Sequence, residues 1–175
     1  SEEQIKSWRE YYAPLDKKFH ESKLSGKDLV RWKFQRYAKN YLRCVRGVDE
    51  SVGKIQDVLK ELKLDKNTAV IYSSDQGFYI GDHGWYDKRW MFEESLRMPF
   101  LIRWPGVIKP GTKPNELIQN IDYAPTFLEM AGLPVPDEIQ GESLLPIFTG
   151  NAKGWRKSIY YSYYEFGEHA VPPHF

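Results

Sequence analysis

The longest periodic pattern of apolar residues in the chain lies between residues 28 and 62. Apolar side chains recur there at spacings of three and four, at Tyr37, Tyr41, Val45, Val48, Val52, Ile55, Leu59 and Leu62. This spacing predicts a long amphipathic helix, with Asp28 as its N-cap, that packs one face against a sheet. Residues 1–27 are less regular, and we expect a short helix and loop there.

A different pattern predicts the strands. Residues 68–73 are apolar and rich in β-branched side chains, which is typical of a strand buried on both faces of a parallel sheet. Residues 100–104 resemble a second strand, and Asp122 and Gly132 bound a short helical pattern. The alternation of helices and strands predicts an α/β fold, a wound mixed sheet flanked by helices. The tyrosine-rich residues 158–165 predict a strand of a small accessory sheet.

Composition and charge restrict the functional class. With 175 residues, 41% of them hydrophobic, the chain is long enough for one domain with a core. The 25 basic and 24 acidic residues give a net charge of +1, so charge favours neither nucleic acid nor an anionic membrane as a partner. No apolar run approaches the ~18 residues of a membrane span. The single cysteine, Cys44, falls on the apolar side of the long helix, and we expect it to be buried and unreactive.

The polar residues that follow the 68–73 strand form the candidate reaction site. Asp75 and Gln76 come at its carboxyl end, where ligands bind in open α/β sheets. Their carboxylate and amide oxygens are the hard donors that calcium or magnesium prefers. Lys88 could neutralise a sulfate or phosphate oxygen, and His83 could donate to an anion, move a proton or bind a metal. The alternative is structural: a turn at Asp75 and Gln76, a solvated Lys88 and a loop histidine.

The order of residues between positions 74 and 99 carries a family resemblance. The chain reads Ser74-Asp75-Gln76-Gly77, Gly81-Asp82-His83-Gly84, Lys88, Glu93-Glu94 and Arg97-Met98-Pro99. This run resembles the sulfatase family of the alkaline phosphatase superfamily, and within it the iduronate-sulfatase-like subgroup. The resemblance implies that Asp75 and Gln76 bind the active-site cation, usually calcium, with magnesium possible, and that Lys88 contacts the sulfate. For His83 it implies only a place near the site.

Two further groups have a structural and a functional interpretation. Glu93 and Glu94 would point about 100° apart on a helix, so we expect ion pairs with Arg89 or Arg97, or support of the Lys88 loop, rather than a general acid pair. Residues 168–174 resemble a segment that lines the substrate side of the pocket in some sulfatases. His169 and His174 are therefore candidate sugar contacts, with surface loop histidines as the alternative.

The resemblance covers residues 31–175 and corresponds to the later part of a sulfatase catalytic domain. It implies a partial α/β domain over residues 1–157 and the truncated start of an accessory sheet over residues 158–175. Sulfatases use a formylglycine made from cysteine or serine in a Cys-x-Pro-x-Arg type of motif, and Cys44 is not in such a motif. We therefore expect the nucleophile in the remainder of a parent polypeptide, and no turnover from this chain alone.

The expected activity of the parent protein is the hydrolysis of sulfate esters, with a sulfated carbohydrate as substrate. Family resemblance also implies a periplasmic, otherwise extracytoplasmic or lysosomal location. Two alternatives stay open. One is a phosphodiesterase or phosphonate monoester hydrolase of the same superfamily, and the other is a catalytically inactive relative that keeps only the fold.

Overall fold

The computed structural model describes residues 1–165 and 171–174, which belong to two compact units. The first unit spans Ser1–Gly53, and the second begins at Lys54. Across the described residues, no helix combines the length and the apolar character that a membrane crossing requires.

Two helices dominate the amino-terminal part of the chain: α1 (Glu2–Ser22) and α2 (Gly26–Glu61). Helix α2 confirms the long helix, although Asp28 lies in its first turn and not at the N-cap. The prediction of a short helix and loop before it is wrong, because α1 is 21 residues long. Ser1 caps α1 through a reciprocal capping box with Gln4. The sequence signal for α1 is a set of apolar residues at spacings of three and four: Ile5, Trp8, Tyr12, Leu15 and Phe19. Pro14, which usually interrupts a helix, lies inside this set and argues against the helix.

The apolar face of α2 is not buried by the described residues. Val45, in the first unit, is 47% exposed, and Ile55, in the second unit, is 56% exposed, so neither unit by itself buries this face as expected. Cys44 is exposed as well, which overturns the prediction of a buried thiol. The periodicity correctly identifies which residues share a face, but it contains no information on what covers that face.

The second unit contains a two-stranded sheet. Strands β1 (Val70–Ser73) and β2 (Phe100–Arg103) confirm both predicted strands, but they pair antiparallel, with Val70 opposite Arg103. The expectation of a parallel strand buried on both faces is therefore wrong for this pair, and Tyr72 is 38% exposed. The apolar composition of a strand indicates that it is buried, but it does not indicate whether the strand runs parallel or antiparallel to its neighbour. The chain between the strands contains the one-turn helix α3 (Glu93–Leu96) rather than a crossover helix that would make them parallel.

A hydrophobic cluster holds the sheet against two later helices. Leu144, Ile147 and Phe148, at helix α5 (Leu145–Phe148), pack against Phe100 and neighbouring apolar side chains. Helix α4 (Tyr123–Met130) confirms the helix predicted after Asp122. The ring of Tyr123 stacks on Phe100 at 5.3 Å between centroids, and the hydroxyl of Tyr123 lies 2.6 Å from the hydroxyl of Ser73. This contact fixes the end of β1, immediately before the candidate site.

The remaining segments are mostly irregular. Two short 3-10 helices span Asp82–Gly84 and Asn120–Asp122. No strand forms over residues 158–165, where the structure has a single antiparallel bridge between Tyr163 and His174. The accessory strand is therefore reduced to one bridge in the described residues, and the proposed boundary at residues 157 and 158 stays a prediction.

Candidate active site

A cavity of about 470 Å³ brings together three of the predicted site residues, Asp75, Gln76 and Lys88. These residues come from the end of β1 and from the loop that follows it. The other residues that line the cavity are Arg89, Ser95, Leu96, Met98, Ile118, Gln119, Asn120, Ile159, Tyr160, Tyr161, Tyr163 and Glu165. The structure therefore combines possible cation ligands, a lysine and a tyrosine-rich wall in one cavity.

The oxygens of Asp75 and Gln76 are suited to part of a cation site. Asp75 is exposed, and one of its carboxylate oxygens lies 3.3 Å from Ser74 Oγ. Ser74 Oγ donates to the backbone carbonyl of Gln76 at 2.9 Å, which fixes the turn. Calcium takes six to eight oxygen ligands. Within the described residues, no group of three or more His, Cys, Asp or Glu side chains could hold a metal, so this pair supplies only part of a coordination shell.

Lys88 is half-buried at the cavity, and its backbone is held from two sides. The hydroxyl of Ser95 donates to the carbonyl of Lys88, and the amide of Tyr79 donates to the carbonyl of the preceding Asp87 at 2.8 Å. Among the described residues, no carboxylate forms an ion pair with the Lys88 ammonium group. Its charge is therefore available to an anion in the cavity.

The cavity wall contains residues that the sequence reasoning missed. The hydroxyl of Tyr161 donates to the carbonyl of Arg89 at 2.8 Å, and the hydroxyl of Tyr163 donates to Glu165 at 3.0 Å. Burial raises the pKa of Tyr161, with a smaller effect from Tyr79. The guanidinium of Arg89 pairs with Asp87, next to Lys88 in sequence. The tyrosine cluster in residues 158–165 is the sequence signal for this wall, although its weak alternation predicts only a strand.

His83 does not line the cavity, although it belongs to the loop that carries Lys88. Its Nε2 lies 3.1 Å from a carboxylate oxygen of Glu94, and its ring stacks on Phe92 at 4.4 Å. Its φ of 56° is in the left-handed region, which a residue other than glycine occupies at a cost. Glu93 pairs with Arg97 at 3.4 Å, as expected. These contacts are typical of a residue that supports the loop.

His174 is next to the cavity wall but does not line the cavity itself. Its ring stacks on Trp90 at 4.9 Å and lies 5.4 Å from the ring of Tyr163. Its Nδ1 lies 2.9 Å from the carbonyl of Pro172, whereas its Nε2 is buried and has no hydrogen-bond partner among the described residues. A proton on Nδ1 would leave Nε2 as an acceptor. His169 lies outside the described residues.

The sequence also provides no indication of a buried ion pair between Asp122 and Arg156. The carboxylate of Asp122 is fully buried and receives two hydrogen bonds from Arg156, at 2.7 and 2.9 Å. It also accepts from the backbone amides of Gln119 at 2.7 Å and Glu142 at 2.9 Å. Asp122 stands at the N-cap position of α4 but makes no side-chain capping bond there. Hydrogen bonding to Asp122 is the main reason why the pKa of Arg156 is raised.

Comparisons with known proteins identify the family. Residues 81–175 match the family described as N-sulphoglucosamine sulphohydrolase, C-terminal. The chain is 45% identical over 172 residues to the N-acetylglucosamine-6-O-sulfatase of Bacteroides thetaiotaomicron, a match that covers 96% of this chain and 31% of that enzyme. The chain therefore spans about a third of the length of this relative.

Solved structures support the same assignment. A structure described as a complex with its substrate D-glucosamine-2-N,6-O-disulfate matches with a TM-score of 0.88 and 42% identity, over 99% of this chain and 36% of the other. The phosphonate monoester hydrolase of Silicibacter pomeroyi matches with a TM-score of 0.58 and 33% identity, over 62% of this chain and 22% of the other. The iduronate-sulfatase-like subgroup stays a prediction. The chain belongs to the sulfatase family and forms part of its alkaline-phosphatase-like α/β fold.

Proposed function

We propose that this chain forms part of the active site of a formylglycine-dependent sulfatase that hydrolyses a sulfate ester of a carbohydrate. The observation that carries the proposal is the single cavity lined by Asp75, Gln76 and Lys88. The chain that forms this cavity is 45% identical to an N-acetylglucosamine-6-O-sulfatase. Because the match covers 31% of that enzyme, the activity is proposed for the parent protein and not for this chain alone.

Each polar group has a role that follows from its chemistry. Asp75 and Gln76 would hold calcium, or magnesium, through a carboxylate and an amide oxygen. A cation bound there supplies Lewis-acid chemistry at the sulfate. Lys88 binds and neutralises a sulfate oxygen, because its ammonium group has no carboxylate partner among the described residues. The formylglycine that provides the nucleophile would come from the parent polypeptide.

The cavity wall favours a sugar as the group that carries the sulfate. The tyrosines at positions 160, 161 and 163 combine aromatic rings with hydroxyl groups, and Glu165 adds an acceptor for sugar hydroxyls. The related enzyme named above acts on 6-O-sulfated N-acetylglucosamine, as its name states. We therefore propose a 6-O-sulfated glucosamine derivative as the substrate. His169 and His174 stay candidate sugar contacts, and a location outside the cytoplasm stays a prediction.

One alternative has an observation in its favour. The match to a phosphonate monoester hydrolase, at 33% identity, shows that phosphorus-ester hydrolases share this part of the fold. Such an enzyme would use the same cavity to bind a phosphonate in place of a sulfate. An inactive relative that keeps only the fold is the remaining possibility.

The deciding experiment is an activity assay on the intact parent protein, coexpressed with a formylglycine-generating enzyme. The substrates are an aryl sulfate, an aryl phosphate, an aryl phosphonate and N-acetylglucosamine 6-sulfate, each with calcium and with a chelator. Calcium-dependent sulfate release, greatest from the sugar, is the expected result. Preferential cleavage of a phosphorus ester would support the alternative hydrolase, and no cleavage of any of the four would support an inactive relative.

A further inference from the structure

Ser95 is hydrogen-bonded both to Gly77, next to the candidate cation ligands, and to Lys88, the candidate sulfate contact. It belongs to α3, is only 4% exposed and lines the cavity. Its backbone carbonyl accepts a hydrogen bond from the amide of Gly77 at 2.7 Å, and Gly77 follows Gln76 directly. Its hydroxyl donates to the backbone carbonyl of Lys88. One buried residue is therefore bonded to the segment that carries the candidate cation ligands and to the residue that carries the candidate sulfate contact.

Helix α3 approaches the end of the Asp75 segment very closely. A Cβ atom added to Gly77 would lie 1.9 Å from the carbonyl oxygen of Glu94, which is a severe overlap with backbone. Only a glycine permits this approach. The distance between α3 and Gly77 is thus fixed by direct contact between two backbone segments. No flexible side chain lies between them.

The same helix also holds the loop that leads to Lys88. Glu94 bonds His83 at 3.1 Å, and Ser95 bonds the carbonyl of Lys88 itself. Within this loop, the amide of Gly81 donates to the carbonyl of Trp85 at 2.9 Å. This bond closes a tight turn around His83. Lys88 is therefore attached to α3 at its own backbone, and α3 is attached to Gly77.

We propose that Ser95 is a positioning residue that sets the distance between the Lys88 ammonium group and the oxygens of Asp75 and Gln76. The proposal deepens, and rests on, the sulfatase function proposed above. A sulfate could be held by Lys88 beside the residues that would hold the cation only when these side chains are correctly spaced. A misplacement of about 1 Å in such a site lowers turnover on the order of a hundredfold.

The test compares two substitutions at Ser95 in the intact parent protein with one control. Ser95→Ala removes the bond to the Lys88 carbonyl and keeps the bond from the Gly77 amide, because that bond joins two backbones. Ser95→Thr keeps a hydroxyl that can donate to the same carbonyl. Ser143→Ala is the matched control, since Ser143 Oγ also makes one bond with backbone, to the amide of Leu145 at 3.3 Å, and does not line the cavity.

Four quantities separate positioning from simple stabilisation. They are kcat and KM on a sulfate ester, the inhibition constant of inorganic sulfate, the calcium affinity by calorimetry, and the thermal unfolding temperature. For Ser95→Ala we expect kcat per folded protein to fall on the order of ten- to a hundredfold, with weaker sulfate inhibition and unchanged calcium affinity. Ser95→Thr should recover sulfate inhibition, and Ser143→Ala should match the wild type in all but unfolding temperature.

The inference is overturned if Ser95→Ala keeps the wild-type inhibition constant for sulfate and loses activity only in proportion to the unfolded fraction. It is also overturned if Ser143→Ala changes sulfate inhibition equally. Failure of the proposed function is a separate result, because the wild-type parent would then release no sulfate from any ester. In that case calorimetry with inorganic sulfate replaces inhibition, and equal sulfate affinity in wild type and Ser95→Ala, or no binding to either, overturns the inference.

Discussion

Replacing Gly77 by alanine tests the contact that joins the candidate cation ligands to α3. The added Cβ would lie 1.9 Å from the carbonyl oxygen of Glu94 and 2.9 Å from the carbonyl oxygen of Ser95. Real Cβ atoms essentially never come within 3.0 Å of such atoms, so α3 and the Gly77 backbone must separate by about 1 Å. Both neighbours are backbone atoms, and no side-chain rotation can relieve the overlap.

The energetic cost has two parts. Overpacking of this kind costs about 1–3 kcal/mol, and weakening the bond from the Gly77 amide to Ser95 costs about 1 kcal/mol more. The variant should therefore lose roughly 2–4 kcal/mol of unfolding free energy. Because the separation moves Gln76 away from Lys88, we also expect kcat of the parent enzyme to fall on the order of a hundredfold.

The assay combines denaturant unfolding of the parent protein with its turnover of a sulfate ester. Gly53→Ala in α2 is the control, because its backbone is helical and, apart from its chain neighbours and the adjacent helix backbone, no described atom lies within 4 Å of its added Cβ. Alanine there should stabilise the protein by up to about 1 kcal/mol and leave kcat unchanged. A Gly77→Ala enzyme with wild-type stability and wild-type kcat would refute the close packing of α3 on this segment and its role in the site.

Three other substitutions test the parts of the site separately. Asp75→Ala should abolish calcium-dependent turnover by the parent protein and, because the side chain is exposed, leave the unfolding temperature measured with a chelator unchanged; persisting calcium dependence would contradict the ligand assignment. Lys88→Ala should lower turnover of sulfate esters on the order of a hundredfold and weaken inhibition by sulfate, whereas a variant that is only less stable would favour a structural lysine. Asp122→Ala removes the bidentate partner of the nearly buried Arg156, which keeps Glu142 at 3.6 Å, and should cost about 3–5 kcal/mol in denaturant unfolding; a loss below about 1 kcal/mol would argue against a stabilising pair.

The sequence identifies Asp75, Gln76 and Lys88 as site candidates through the strand that precedes them and through the family resemblance, and their roles as ligands stay a proposal. A short β-branched run predicts β1, and the residues that follow a strand end must lie at one edge of the sheet. The order of residues from Ser74 to Lys88 then carries the family resemblance. The structure places Asp75, Gln76 and Lys88 around one cavity, and their proximity follows from the strand end and the loop after it.

Other features of the site depend on contacts between distant segments, for which the sequence shows no pattern. Tyr161 reaches Arg89, 72 positions away in the chain, and Arg156 reaches Asp122, 34 positions away. A run of tyrosines, or an aspartate before a helix, can form hydrogen bonds with many different residues, so the local pattern does not identify the partner. The bonds from Ser95 to Gly77 and Lys88 were missed for the same reason.

The sequence alone thus determined the type of α2, α4 and the two strands, the residues that share a face of α2, and the order of the candidate ligands, because periodicity and turn chemistry act over a few residues. Only the tertiary structure decided the antiparallel pairing of β1 with β2 and the exposure of Cys44. Strand direction depends on the path of the whole connection, and burial depends on what packs against a face. Neither is encoded in the local pattern that forms the element itself.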